Sequence, residues 1–195
     1  MASRVRRANK ATASQLLSAV SGVFDLKDVS YSTHVATSSE LSEAEKAHIW
    51  DMLEHNMQHM YTGSSLGWDP PSKKRELFHR NSRFILLRRS PAEDGLEHLD
   101  GELPIMAYSM FRFEMEVGEC VLYCYELQVL QSAQRGGMGK TLMGFLYDIA
   151  RRWNMQKVTL TVFKENQAAF LLYKAMGFTV EPDGDGEDYW IMAKS

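Results

Sequence analysis

Residues 121–142 read VLYCYELQVLQSAQRGGMGKTL, and the reading of the whole chain turns on them. The first half has the pattern of a β-strand: Val121, Tyr123, Tyr125 and Val129 are β-branched or aromatic and recur on a period of two. Glu126 is the one acid in that strand. Gly136, Gly137 and Gly139 interrupt it, and an apolar run at helical spacing follows, with Leu142, Phe145, Leu146 and Ile149. Glycines ahead of a helix leave backbone N–H groups pointing outward. With the helix dipole they make an anion site, best suited to phosphate.

Three phosphate loops compete for Gln134-Arg135-Gly136-Gly137-Met138-Gly139-Lys140-Thr141. A Walker loop fits at Gly139-Lys140-Thr141 but has Gln134 where its first glycine belongs. A dinucleotide loop fits at Gly137 and Gly139 but has Leu142 as its third position. The pattern Q/R-x-x-G-x-G/A is met in full by Gln134, Gly137 and Gly139. That is the pyrophosphate loop of the GNAT superfamily of acetyl-CoA-dependent N-acetyltransferases, which this segment resembles. Downstream, the strand Val158 to Phe163 and then Asn166, Ala169, Tyr173 and Gly177-Phe178 resemble the strand, helix and short strand that flank the cofactor in that superfamily.

The resemblance implies an α/β (α+β) fold: a mixed twisted central sheet splayed at a β-bulge, with helices on both faces and here an extra N-terminal helix. It implies acetyl-CoA as cosubstrate. Gln128, Val129 and Leu130, the loop from Gln134 to Thr141, Thr161 and Asn166 would hold it, and Tyr173 stands where the superfamily usually places a general acid.

Composition sets the outer bounds. A chain of 195 residues suits one domain with a substantial core, here with residues 1–39 as a helix and arm packed on it. Its 45% hydrophobic and 24% charged residues are ordinary for a globular protein. A net charge of −3 provides no basic field for direct nucleic-acid binding. No apolar run approaches a membrane span. Cys120 and Cys124 are too few for a disulfide framework and read as structural thiols of a reducing compartment. His55 and His59 lack a carboxylate to complete a metal set, so no metal is expected. Arg4, Arg6, Arg7 and Lys10 precede the first acid, Asp25, which has the composition of a transit peptide; the competing reading is a helix packed through Leu16, Leu17, Val20 and Phe24 behind a basic tip.

In chain order, helix is expected from about residue 8 to 23, and a strand or extended arm from 25 to 39. A long helix should open near Ser39–Glu45, where acids crowd the first turn, and run to Met60. A loop with two glycines, two prolines, Tyr61 and Trp68 has the makeup of a substrate-gripping segment or of a loop anchored by its tryptophan. A short charged helix over 72–78, a strand over 83–88, a hairpin loop over 91–104 and a strand over 105–117 lead into the opening stretch. After it come helix 137–153, a strand at Lys157, a helix from Asn166, and strands near Phe178 and Tyr189, joined by the acidic run 181–188.

The acceptor half resembles one GNAT family in particular. Asn56 to Tyr61, Gly67-Trp68, Phe111-Arg112-Phe113, Leu122-Tyr123-Cys124-Tyr125-Glu126 and Leu160 to Lys164 are similar to the NatD family of N-alpha-acetyltransferases. Those enzymes acetylate histone tails beginning Ser-Gly-Arg-Gly. The resemblance implies that Tyr61, Glu114, Tyr123, Tyr125 and Tyr189 contact the peptide, with Glu126 as general base. It also implies work in cytoplasm and nucleus, and a monomer is expected. Two departures stand out: Glu114 replaces a family aspartate, and Leu66 replaces a tryptophan. The runner-up is a GNAT acetyltransferase of lysine side chains or small amines.

The chemistry is consistent with this. An α-amine with a pKa of about 7.7–8.0 is partly neutral near neutrality, so a base need only collect a proton as the amine attacks the thioester. A backbone N–H near Leu127 could hold the oxyanion. In a regular strand, however, Tyr123 and Tyr125 face one side and Glu126 the other. A β-bulge at or just after Glu126 is therefore expected, to bring all three to the peptide.

Overall fold

The computed structural model describes residues 2–90 and 103–195. Most of the expected hairpin loop at 91–104 lies outside them. The elements are α1 (Ala2–Ala8), α2 (Ala13–Leu17), β1 (Val23–Leu26), β2 (Val29–Thr37), α3 (Glu43–Thr62), α4 (Pro70–Leu77), β3 (Arg83–Arg89), β4 (Ile105–Glu116), β5 (Glu119–Val129), α5 (Met138–Arg152), β6 (Lys157–Phe163), α6 (Gln167–Ala175), β7 (Thr179–Asp185) and β8 (Tyr189–Lys194). The strands form one sheet in the order β1-β2-β3-β4-β5-β6-β8-β7. Only β5 and β6 pair in parallel; the other neighbours are antiparallel. This is the mixed sheet expected from the sequence.

Two cores lie on the two sheet faces. Phe111, Phe113, Leu122 and Cys124 bury one face against Leu142, Leu146 and Ile149 of α5 and Leu16 of α2. Phe84, Leu86, Tyr108 and Met110 bury the other against Ile49 and Leu53 of α3 and Leu77 of α4. Strand alternation explains the division, because successive residues of β4 point to opposite faces.

The N-terminal third departs from expectation. The expected helix 8–23 is reduced to α2, and α1 lies ahead of it beyond a break at Asn9–Thr12. Thr12 starts α2 with a capping box to Gln15, and the Asn9 amide donates to the Phe113 carbonyl at 3.0 Å. The arm 25–39 is a β-hairpin that joins the sheet, turning at Lys27 and Asp28, both at positive φ (49° and 63°). The long helix opens within the expected stretch, with Ser42 and Glu45 forming the capping box and Glu43 and Glu45 in the first turn. The short charged helix starts earlier: Asp69 caps it, and Pro70 and Pro71 occupy the first turn, where a missing N–H costs nothing. The acidic run 181–188 is largely strand, since β7 extends to Asp185 with an irregular register after Val180.

The feature that positions the site lies in β5. Met110 of β4 faces Glu126, while Phe111 faces Cys124, so Tyr125 is an extra residue. The bulge is thus one residue earlier than expected. Tyr125 packs toward the α3 core and Glu126 reaches α4, whereas Cys124 and Leu127 belong to the α5 side. Two consecutive residues therefore share a face. Beyond the bulge the strands part: β5 pairs with β6 only over Val121–Cys124, and Thr161–Phe163 continue against β8 alone.

Candidate active site

At the face carrying Tyr125 and Glu126 lies a cleft of ≈ 480 Å³. Tyr123 and Tyr125 of β5 and Thr161 of β6 line one side; Tyr61 of α3, Leu66, Gly67 and Trp68 of the following loop, and Asp69, Ser72, Lys73 and Glu76 at α4 line the rest. The aromatics brace one another. Tyr61 sits edge-on to Phe163 at 4.9 Å and 5.7 Å from Trp68, which stacks on Trp50. Tyr123 and Tyr125 lie 4.8 Å apart, and the Tyr123 hydroxyl is 2.6 Å from Thr161 Oγ1. Burial pushes the Tyr123 phenol up to about 12. The loop is tied across the cleft, because the Ser65 N–H donates to Asp188 Oδ2 at 2.6 Å.

Glu126 is 4% exposed, and its carboxylate is held from several sides. Lys73 Nζ lies 2.7 Å from Oε1, with the Tyr61 hydroxyl at 3.5 Å. Gln128 Nε2 donates to Oε2 at 2.9 Å. Asn56 Nδ2 in turn donates to Gln128 Oε1 at 3.1 Å, which fixes the amide so that its NH₂ faces the carboxylate. Lys73 also donates to the Tyr61 hydroxyl at 2.7 Å and pairs with Glu76 at 2.5 Å. Burial alone would lower the Lys73 ammonium; Glu126, Tyr61 and Glu76 outweigh it and raise the group.

The phosphate loop follows β5 directly. Arg135 and Gly137 take positive φ (58° and 101°), and Gly137 caps α5 without any side-chain hydrogen bond. The first-turn N–H groups at Met138, Gly139 and Lys140 are then left for an anion. A Cβ on Gly139 would approach Leu172 to 3.2 Å, so glycine also permits close packing of α5 on α6. Gln134 Nε2 donates to the Val129 carbonyl at 3.3 Å, and Lys27 Nζ of the β1–β2 turn donates to the Arg135 carbonyl at 3.3 Å. The N-terminal hairpin thus braces this loop. Leu130 N–H bonds to Met106 O, so by alternation the Leu127 and Val129 N–H groups face the gap between the parted strands. An uncapped helix start next to a strand gap fits a pyrophosphate carrying an extended arm.

The expected site residues fall into three groups. Tyr61, Tyr123, Tyr125 and Thr161 line the cleft, and Glu126 lies buried behind them, reaching it through its contacts to the cleft-lining Lys73 and Tyr61. Gln128 serves Glu126 with its side chain, and Asn166 caps α6 through Oδ1 to the Ala169 N–H at 3.2 Å. Glu114 and Tyr189 are not among the cleft-lining residues: Glu114 accepts from the Tyr125 hydroxyl at 2.9 Å beside Arg112, and the Tyr189 ring packs over Gly186. Lys73, Trp50 and Asn56 were assigned no site role from the sequence, although Asn56 opens one of the resembling runs. Lys73 is four residues before the buried Leu77, and this shared helix face was the available signal. Tyr173 is buried against Phe178, and burial raises its phenol. Among the described residues no group of three or more His, Cys, Asp or Glu is placed to hold a metal.

Residues 49–178 match the acetyltransferase (GNAT) family model. The chain belongs to the GNAT family. Solved structures share the fold of this acetyltransferase at low identity. Arabidopsis thaliana NAA60, in complex with a bisubstrate analogue, is 11% identical over 83% of this chain and 98% of its own, with a TM-score of 0.62. Arabidopsis thaliana Naa50, in complex with the bisubstrate analogue CoA-Ac-MVNAL, is 14% identical over 84% and 98%, at 0.55. The PaiA N-acetyltransferase of Thermoplasma acidophilum, in complex with coenzyme A, is 15% identical over 84% and 99%, at 0.59.

Proposed function

We propose that this acetyltransferase moves an acetyl group from acetyl-CoA to the free α-amine of a peptide N-terminus, on histone tails beginning Ser-Gly-Arg-Gly, with Glu126 as general base. The observation that carries the reading is the bulge, which turns Glu126 to the same face as the cleft-lining Tyr125 and against Lys73 and Tyr61 of the aromatic-walled cleft. Acetyl-CoA in the strand gap, with its pyrophosphate at residues 136–140, supplies the acetyl thioester. Tyr61, Tyr123 and Tyr125 shape a narrow slot for the leading residue, and Trp68 closes its outer wall. Glu126, near the cleft and hydrogen-bonded to Gln128, takes the proton that the attacking amine loses, directly or through the Tyr61 hydroxyl. Asp69 and Glu76 at the rim supply negative charge suited to a basic tail. Such a substrate would be met in cytoplasm and nucleus.

The test combines the protein, acetyl-CoA and a Ser-Gly-Arg-Gly-Lys peptide, and locates the acetyl group by mass spectrometry. Acetylation of the α-amine, and none on a peptide whose α-amine is blocked, is the expected result. Efficient lysine acetylation of the blocked peptide would instead make this a side-chain acetyltransferase.

A further inference from the structure

Lys73 has no part in the proton transfer just described, yet it makes the shortest contact to the carboxylate that carries it. Its side chain is 11% exposed. Its Nζ meets oxygens from three elements: Glu126 of β5 at 2.7 Å, Tyr61 of α3 at 2.7 Å and Glu76 of its own helix at 2.5 Å. It also lies 4.7 Å from the centre of the Tyr61 ring. A buried ammonium with three acceptors matches its three N–H donors, so its position is determined on every side. Removing one partner of such a buried pair leaves an uncompensated charge, which makes the contact consequential for whichever group remains.

The surroundings explain why the contact concerns the base. The titratable groups that sense Glu126 are Tyr61 from α3, Lys73 from α4, Tyr108 from β4, Cys124 from β5 and Tyr173 from α6. Burial raises both Tyr108 and Tyr173, the Cys124 thiol and Tyr61, so all four stay neutral near pH 7. Lys73 is then the one cation among them. Glu76, its second partner, is more exposed and follows it by one helical turn. The ammonium is therefore shared between a buried carboxylate that performs chemistry and a rim carboxylate at the mouth of the cleft.

We propose that Lys73 is the positioning residue of this active site: it aims the Glu126 carboxylate, supplies its counter-charge, and links it to α4 and the cleft-lining loop before it. This rests on the reading of Glu126 as general base. The division of Lys73 between two carboxylates has an unusual consequence, because the two partners should tune the base in opposite directions. Without the cation, the ionised carboxylate is less favoured. Without the Glu76 charge, Lys73 has Glu126 as its only carboxylate partner and favours the ionised form more.

The experiment measures kcat against pH, acetyl-CoA affinity and melting temperature for the wild type and for Lys73→Met, Lys73→Arg, Glu76→Gln and Glu126→Gln. Lys73→Met should lower kcat roughly 10–100-fold and move the acid limb up by about one pH unit or more, with acetyl-CoA affinity unchanged. Lys73→Arg should recover part of the rate and return the limb toward its wild-type position. Glu76→Gln, at a more exposed site, should move the limb down, and it keeps the idea open to refutation if Lys73→Met does not fold. Limbs that stay in place in Lys73→Met or in Glu76→Gln would overturn the assignment of Lys73 while leaving Glu126 as base. A Glu126→Gln enzyme with near-normal rate would overturn both.

Discussion

Gly137 shows how one residue can carry a binding site. Its φ of 101° lies in the left-handed region, and a β-branched side chain there is strained whatever space surrounds it. It also turns the chain from the loop into α5, where the open N–H groups lie. Gly137→Val should weaken acetyl-CoA binding at least tenfold, about 1.4 kcal/mol, in a protein that still folds. Calorimetry on the variant checks this, and unchanged affinity would remove the pyrophosphate from this loop. Residues of this kind were legible in advance because backbone geometry restricts what can stand there. Lys73 and Asn56 were not, because a lysine in a charged helix and an asparagine in a long one look like solvated surface. Only tertiary packing turns them inward. Glu114, expected on the substrate from the resemblance, accepts from the hydroxyl of Tyr125, itself a cleft-lining residue.

At the scale of elements, the bulge was foreseen from a conflict between chemistry and strand alternation, and its displacement by one residue is a matter of register that no local pattern encodes. The second strand of the N-terminal hairpin was legible as a strand or extended arm, but its pairing with β1 was not, since Lys27-Asp28 lacks the Asn-Gly signature of a tight turn. The α3–α4 loop shows how an element is held by a distant one. Ser65 N–H donates to Asp188, and that hydrogen bond holds the exposed Asp188 carboxyl below the usual carboxylate range. A lowered carboxylate stabilises the folded arrangement above its ordinary value of about 3.9, and that contribution is lost as pH falls through the lowered value. Asp188→Ala should speed hydrogen exchange at the Ser65 amide at neutral pH, and the wild type should show the same acceleration only in strong acid. Equal exchange in variant and wild type at neutral pH would mean that the loop is held by its aromatics alone.

For the whole molecule, periodicity marked the individual strands and helices and the resemblance implied a central sheet with helices on both faces, whereas the order β6-β8-β7 depends on a C-terminal crossing that local sequence does not announce. The proposed cosubstrate would touch β5, the phosphate loop and the start of α5, which belong to the same central framework. Binding there should therefore stabilise the global fold. Acetyl-CoA at a hundredfold its Kd should add about 2.7 kcal/mol, a rise in Tm of roughly 5–10 °C for a chain of this size. Differential scanning calorimetry reads this directly; a Tm unmoved by saturating acetyl-CoA would exclude binding to the native state.

The parted strands carry one more consequence. A sheet normally exposes unpaired backbone only along its two outer strands, where charge, proline or short length discourages association with other chains. Here a second such boundary opens in the middle of the sheet, between β5 and β6. Under the proposed function its composition could not be altered defensively, since the same groups would receive the donor's arm. A cosubstrate arm lying there would take the place of a missing strand. Coenzyme supply would then bear on solubility as well as on turnover: the empty enzyme should turn turbid on storage sooner than enzyme saturated with acetyl-CoA, and equal rates would show that the open boundary is harmless.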